Sequence, residues 1–203
     1  ERVLFASTGG AIYGEPVYTP QDLNHPLRPV SPYGVAKLAS EKYLHYYEEQ
    51  FGVDAVSLRY ANVYGPRQNP HGEAGVVAIF TKSMLEGEQP VIYGDGEQTR
   101  DYVYVKDVVR ANLASLDYEE SGIFNVGTGE ESSVNTLFRQ LRDETGADVE
   151  EHHGSAKPGE QQRSVLGYAE TKDALKWSPE VDLEEGLHRT VDWFREARLK
   201  KID

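Results

Sequence analysis

Ser31-Pro32-Tyr33-Gly34-Val35-Ala36-Lys37 opens the stretch that decides the fold, and Ala55-Val56-Ser57-Leu58-Arg59-Tyr60 closes it. Ser31 suits a helix N-cap, and Pro32 suits the first helical position, where a missing N–H is no loss. The helix expected from there runs to about Phe51 and stops at Gly52. Leu44, Tyr47 and Phe51 fall at i, i+3 and i+7 and mark its expected packed face. Ala55–Tyr60 follows as a strand. Upstream, Val3-Leu4-Phe5 is a short apolar run stopped by Gly9-Gly10, which reads as a buried strand over Arg2–Ala6 and then a turn. Pro16, Pro20, Pro26 and Pro29 make residues 14–30 a loop.

The alternation continues downstream. Asn62–Gly75 reads as a loop and Val76–Glu86 as a helix. Val91–Tyr93 is an expected strand stopped by Gly94-Asp95-Gly96, and Val103–Val105 is short and extended. Asp107–Leu116 is helical, and Ile123–Val126 is a strand ahead of Gly127-Thr128-Gly129. Val134, Leu137, Phe138 and Leu141 form a helical stripe. Val149–His152 is an expected edge strand and 154–163 a polar loop. Leu183, Leu187, Val191 and Phe194 define a last amphipathic helix. Strands alternating with helices imply an α/β architecture around a parallel sheet. Two units are expected: 1–65, carrying the sheet, and 66–203, mainly a second lobe, with segments around 103–128 returning to the sheet.

Composition narrows the chemistry. The 203 residues carry 21 Lys+Arg against 34 Asp+Glu, a net charge of 21 − 34 = −13, which argues against a broad nucleic-acid surface. Cysteine is absent, so disulfides, zinc–thiolate sites and a thiol nucleophile are excluded. No apolar run approaches the roughly 18–20 residues of a membrane helix. No secretion signal is visible, so a reducing cytoplasm is the expected location. The chain opens inside a strand, and an N-terminal part of a longer protein is expected to precede it.

Single motifs are ambiguous. Tyr33 and Lys37 share a helix face. Such a pair is usually a surface Tyr beside a surface Lys. Its sharper reading is a phenol made more acidic by an ammonium. An ordinary phenol titrates near ~10, so work as a base near neutrality needs about 4 kcal/mol of help. Ser7-Thr8 at a strand's carboxyl end is usually turn chemistry, but that end is also where open α/β sheets bind ligands. Gly127-Thr128-Gly129 mimics a dinucleotide loop, yet Ser132 stands where the third glycine would be, so it reads as a turn. Arg100-Asp101-Tyr102 is either a structural ion pair or a phosphate clamp. His152-His153 lacks companions for a metal, and the other histidines show no clustering.

The order of these pieces is informative. Ser7-Thr8-Gly9-Gly10-Ala11-Ile12-Tyr13-Gly14, Ser31–Lys37, Arg59-Tyr60-Ala61-Asn62-Val63-Tyr64-Gly65-Pro66-Arg67-Gln68, and Gly94-Asp95-Gly96 with Arg100-Asp101-Tyr102-Val103-Tyr104-Val105 together resemble the extended short-chain dehydrogenase/reductase superfamily. Within it the pattern is similar to the UDP-glucose 4-epimerases, over essentially the whole chain. That group's N-terminal Gly-rich units, the seat of most NAD contacts, have no counterpart here.

The resemblance implies a Rossmann-like, doubly wound parallel sheet with a smaller substrate lobe, NAD as cofactor, a UDP-sugar as substrate and a homodimer. It implies Tyr33 as acid/base, Lys37 as its partner and a ligand of the cofactor's ribose, and Thr8, with Ser7 beside it, as the hydroxyl aligning the sugar O4. Tyr60 falls among the cofactor contacts. Asn62, Tyr93, Arg100, Lys157, Glu160 and Ser164 fall on the UDP-sugar. Lys157 replaces a more usual Arg and offers a point charge in place of a fork. A small Ser164 implies room for N-acetylated sugars. Gly9-Gly10 stand where related dehydratases place Asp-Glu, and glycine moves no protons. Two other readings are a relative acting on UDP-glucuronate, with Arg67 facing the sugar carboxylate, and a nucleotide-sugar-binding piece without catalysis. The chain alone is expected to be inactive.

Overall fold

The computed structural model describes residues 2–71, 75–157 and 159–199. Its central sheet has the order β1-β2-β7 and is parallel throughout, built from β1 (Arg2–Thr8), β2 (Asp54–Tyr60) and β7 (Gly122–Val126). The middle strand is buried along both faces. Side chains alternate across a strand, and the two faces of β2 differ in chemistry. Val56 and Leu58 enter an apolar core with Val103, Val108, Ala111, Phe124, Val126, Leu175 and Trp177. Ser57 and Arg59 face the other way and are buried as polar groups.

Each face is covered by helices, so the sheet is doubly wound. The polar face meets α1 (Gly9–Tyr13) and α2 (Pro32–Phe51). The apolar face meets α4 (Val105–Asp117) and α6 (Ala169–Leu175). A second core lies in the other lobe. There α3 (Val76–Glu86), α5 (Val134–Thr145) and α7 (Leu183–Leu199) bring together Val77, Phe80, Met84, Leu137, Phe138, Leu141, Leu187 and Val191. Each fully buried side chain of that size contributes about 1.5–3 kcal/mol. The lobes are joined through β3 (Asn62–Tyr64) and β6 (Tyr102–Tyr104), which pair in parallel, so Val103 faces the sheet core while Tyr102 and Tyr104 face the second core. Short pairs β4 (Ile92–Tyr93) with β9 (His153–Gly154), and β5 (Thr99–Arg100) with β8 (Ser132–Ser133), complete that lobe.

Buried polar anchors fix the segment after α6. The Asp107 carboxylate accepts from the N–H groups of Glu180 and Val181, both at 3.1 Å, and pairs with Arg110 at 2.7 Å. The Trp177 indole donates to the Asp107 carbonyl at 2.9 Å. Among the described residues no helix is long and apolar enough to cross a membrane.

Several sequence expectations need correction. Gly9-Gly10 is the start of α1, not a turn, and glycine suits both positions because a Cβ at Gly9 would run into Leu166 and one at Gly10 would press on Ser164. Asn62–Tyr64 is a strand within the expected loop, stabilised by its pairing with β6. The expected edge strand at Val149–His152 lies further on, at His153–Gly154, where it pairs with β4. Helix α6 was not expected at all. The face of α2 carrying Leu44, Tyr47 and Phe51 is not packed, since Tyr47 and Phe51 are exposed and α2 buries only Gly34 and Glu41.

Candidate active site

The first turns of α2 stand beside the carboxyl end of β1. Ser31 Oγ accepts from the Gly34 N–H at 3.1 Å and fixes the helix start. Gly34 is required by a close approach, because a Cβ there would collide with the Ala11 carbonyl of α1. Tyr33 and Lys37 project one turn apart. The Lys37 ammonium donates to the Ala6 carbonyl at 2.8 Å and lies 5.7 Å from the Tyr33 ring centroid. Tyr33 is 56% exposed, so the residue is open to a ligand. Thr8 ends β1, half-buried, and its hydroxyl makes no capping bond to α1.

Ser7 does not join them. It is buried, and its hydroxyl donates to Glu41 Oε1 at 2.6 Å, so of the Ser7-Thr8 pair only Thr8 stays clear of that buried network. Tyr60 is a second departure. Its hydroxyl donates to Asn112 Oδ1 of α4 at 2.9 Å, and burial pushes the phenol above its usual range. It acts as a tie between sheet and helix instead of presenting a free phenol to a cofactor.

A cavity of about 300 Å³ opens next to the sheet's carboxyl end and brings five expected residues together: Asn62, Tyr93, Arg100, Lys157 and Glu160. Val76, Ile79, Phe80 and Val91 give it an apolar floor. The Lys157 ammonium lies 4.2 Å from the Tyr93 ring centroid, and Arg100 Nη2 lies 3.8 Å from Glu160 Oε1. Cations, a carboxylate and an exposed aromatic ring suit a ligand with a flat base and an anionic tail. Two residues without a role in the sequence reading also line it. Gln98 donates to the Tyr93 carbonyl at 3.0 Å and thereby holds that loop. Tyr102 presents a buried hydroxyl without a partner among the described residues, and burial pushes it up to about 12. Its place in Arg100-Asp101-Tyr102 was the available signal.

Ser164 is not in that lining. It is buried, with its hydroxyl facing Gly10, two residues beyond Thr8. Arg67 also lies elsewhere. With φ +70 it lines a different cavity, beside Tyr104, Lys106 and Arg189. The His expectation needs one correction too: His188 meets Glu144 at 2.8 Å and Asp192 at 3.3 Å, and those carboxylates raise its pKa. Arg195 also holds Asp192, at 3.2 Å, so the cluster is a set of surface ion pairs between α5 and α7.

Gly127-Thr128-Gly129 has a definite occupant. The buried Asp101 carboxylate accepts from the N–H groups of Thr128 at 2.9 Å and Gly129 at 3.2 Å, from the Thr128 hydroxyl at 2.7 Å, and from the Leu166 N–H at 3.2 Å. The loop is an anion nest, and the anion is an internal one. Burial pushes the Asp101 carboxyl above the usual range, against the pull of these donors. Asp101 therefore pins the strand between Arg100 and Tyr102 to the sheet end and to the segment after Ser164.

The chain is similar to known proteins over nearly its whole length. A UDP-glucose 4-epimerase of Mycolicibacterium smegmatis is 43% identical over 195 residues, which cover 96% of this chain and 62% of that protein. The crystal structure of a UDP-glucose 4-epimerase from Thermotoga maritima with UDP-glucose superposes with a TM-score of 0.95 at 50% identity, covering 97% of this chain and 64% of that one. The Thermus thermophilus UDP-glucose 4-epimerase complex with NAD gives 0.90 at 45% identity, covering 97% and 65%. The chain thus spans less than two thirds of these relatives. Residues 1–127 match the NAD dependent epimerase/dehydratase family, a span that takes in the Rossmann-like sheet, the Tyr33 helix and the Arg100 wall of the cavity; the chain belongs to that family.

Proposed function

We propose that the protein containing this chain interconverts the C4 epimers of UDP-hexoses, UDP-glucose and UDP-galactose foremost, through a 4-keto sugar. The observation that carries the reading is the cavity holding Asn62, Tyr93, Arg100, Lys157 and Glu160 at the same sheet end as Thr8, Tyr33 and Lys37. Arg100 and Lys157 neutralise the diphosphate, Tyr93 offers a face to the uracil, and Glu160 accepts from the ribose hydroxyls. Thr8 holds the O4 hydrogen bond, and Tyr33 takes and returns its proton with Lys37 alongside. Tight hold on the nucleotide leaves the sugar free to turn.

The residues present fit NAD at this end of the sheet. Tyr33 is open, and Lys37 stands against Ala6 of β1, a strand that pairs only with β2 among the described residues. When bound, NAD supplies the hydride acceptor and donor for C4. No complete Gly-rich fingerprint occurs in the sequence, so contacts to the cofactor's pyrophosphate fall to the part of the relatives' length outside this chain. The chain alone is accordingly inactive.

Epimerisation is favoured over dehydration because Gly9 and Gly10 supply no carboxylate after Thr8, in a place where side chains would crowd Leu166 and Ser164. The uronate reading loses its cation, since Arg67 lines another cavity. The test is UDP-galactose conversion by the full-length protein, followed by NMR, together with the cofactor content of the denatured protein. The expected result is bound NAD and an equilibrium mixture of UDP-glucose and UDP-galactose. Bound NAD without turnover of any UDP-hexose overturns the reading. Ser164 is small where it faces Gly10, so UDP-N-acetylhexosamines are expected to turn over comparably with UDP-hexoses in the same assay; strict rejection of them removes this part of the reading.

The exposed aromatic face of α2 supports a homodimer. Tyr43, Tyr46, Tyr47 and Phe51 are all exposed, and the Tyr46–Tyr47, Tyr46–Phe51 and Tyr47–Phe51 centroids lie 5.5, 6.0 and 5.5 Å apart. A contiguous apolar patch of this kind marks an interaction site. Light scattering is expected to give a dimer for the full-length protein and a monomer for Tyr47→Glu/Phe51→Glu; a monomeric parent rules the dimer out.

A further inference from the structure

The mechanism above leaves one buried ion pair without a role. Glu41 and Arg59 are joined twice, by Arg59 Nε to Glu41 Oε1 at 3.0 Å and by Nη2 to Oε2 at 2.7 Å, with both side chains buried. The pair sits in a polar row that crosses the sheet. Parallel register places Ser7 opposite Arg59, and Arg59 opposite Asn125. Ser7 donates to Glu41 Oε1, Arg59 Nη1 donates to the Tyr13 hydroxyl at 2.9 Å, and that hydroxyl donates to Asn125 Oδ1 at 2.9 Å. Every strand of the sheet and both helices on that face therefore meet in one network.

Its position matters more than its strength. A buried ion pair is often no more stabilising than an apolar cluster of the same volume. What it adds is direction. Ser7 precedes Thr8. Glu41 lies one turn beyond Lys37 and two beyond Tyr33, on the same helix face. Helix α2 has 20 residues and buries only Gly34 and Glu41 against the rest of the described chain. Glu41 is thus the one buried side chain of α2 with reach, and it grips the residue next to Thr8. The Lys37 bond to Ala6 is a second tie between the same two elements.

We infer that Glu41 and Ser7 are positioning residues, which set the separation between the Thr8 hydroxyl on β1 and the Tyr33 phenol on α2. This rests on the proposed acid–base roles of Thr8 and Tyr33. The two hydroxyls must share one sugar oxygen, and a misplacement of about 1 Å in such a site costs up to roughly 100-fold in rate. Nucleotide binding, which depends on the Arg100 cavity, is not touched.

The test uses the full-length protein with Ser7→Ala, which removes one hydroxyl and keeps the Glu41–Arg59 pair, and with Ser7→Thr, which restores the hydroxyl. Ser7→Ala is expected to lower kcat about 10- to 100-fold, with UDP affinity unchanged, and Ser7→Thr to recover most of it. Glu41→Gln should follow Ser7→Ala. Unchanged kcat in Ser7→Ala overturns the inference, and so does a loss of UDP affinity in parallel with kcat. A reaction-independent readout is the Tyr33 ring resonance, assigned by its absence in Tyr33→Phe. It should move in Ser7→Ala and return in Ser7→Thr. If the parent turns over no UDP-hexose, the functional reading fails, and this resonance still decides whether Ser7 positions Tyr33.

Discussion

Asp101→Ala is expected to destabilise the protein by about 3 kcal/mol, because three N–H groups, one in a buried and two in part-buried bonds, lose their acceptor at roughly 1–3 kcal/mol each. The groups are those of Thr128, Gly129 and Leu166, and the Thr128 hydroxyl loses its partner with them. For a chain of this size that corresponds to a fall in Tm of roughly 6–12 °C, at about 2–4 °C per kcal/mol. Asp101→Asn keeps one acceptor oxygen and should lie between Ala and the parent. The effect reaches the ligand as well. Asp101 stands between Arg100 and Tyr102, and its own N–H donates to the Ser164 carbonyl at 2.9 Å. Release of the carboxylate loosens the Arg100–Tyr102 strand, which carries two residues of the cavity, so UDP affinity should fall with stability. Thermal melts and UDP calorimetry on the same variants test both parts. An Asp101→Ala protein that melts within about 1 °C of the parent would remove Asp101 from its place as the hub of these loops.

The same residue shows why some of the molecule could be read in advance and some could not. Local periodicity located the helices that bury a stripe: Val134, Leu137, Phe138 and Leu141 of α5 are all buried, as their spacing implies. It failed on α2, where Leu44, Tyr47 and Phe51 have the right spacing but Tyr47 and Phe51 stay exposed and stack on one another and on Tyr46 along the helix. Spacing says which residues share a face, and not whether that face has a partner. Short elements were missed for a related reason. The three residues Asn62–Tyr64 are a strand only because Tyr102–Tyr104 lies alongside them. The five cavity residues were legible through the order of motifs, since no local property links Lys157 to Tyr93. The internal partners of Ser7 and Tyr60 were not legible, because sequence fixes neither the face of a strand nor the partner across it: Ser7 turns to Glu41, 34 positions away, and Tyr60 to Asn112, 52 away. Gly127-Thr128-Gly129 looked like an incomplete phosphate loop for a sound reason. It does bind an anion, but the anion is Asp101.

The largest effect on activity belongs to Tyr33. In the full-length protein, Tyr33→Phe is expected to lower kcat about 10³-fold or more, within the range of general acid–base contributions, while leaving UDP affinity and Tm close to the parent. The split follows from where the ring sits. Tyr33 is more than half exposed and lies outside both hydrophobic cores, so loss of its hydroxyl removes no packing. No hydrogen bond from that hydroxyl ties it to another element among the described residues, so no buried partner is orphaned. The proposed nucleotide site is a different set, with Arg100 and Lys157 on β5 and the loop after β9. Phe has no proton to exchange, so under the proposed mechanism the sugar O4 loses its acid–base partner, and none of the other groups nearby replaces it. The Lys37 ammonium is held by the Ala6 carbonyl and is a donor only. Thr8 can pass a hydrogen bond but is too weak an acid and base to drive the step near neutrality. Lys37→Met provides the companion result: the phenol remains, its cationic neighbour is gone, and turnover should fall by less than in Tyr33→Phe. Equal affinity with turnover within about tenfold of the parent in Tyr33→Phe would be too small a change for an acid–base residue, and would transfer that role from Tyr33 to another group.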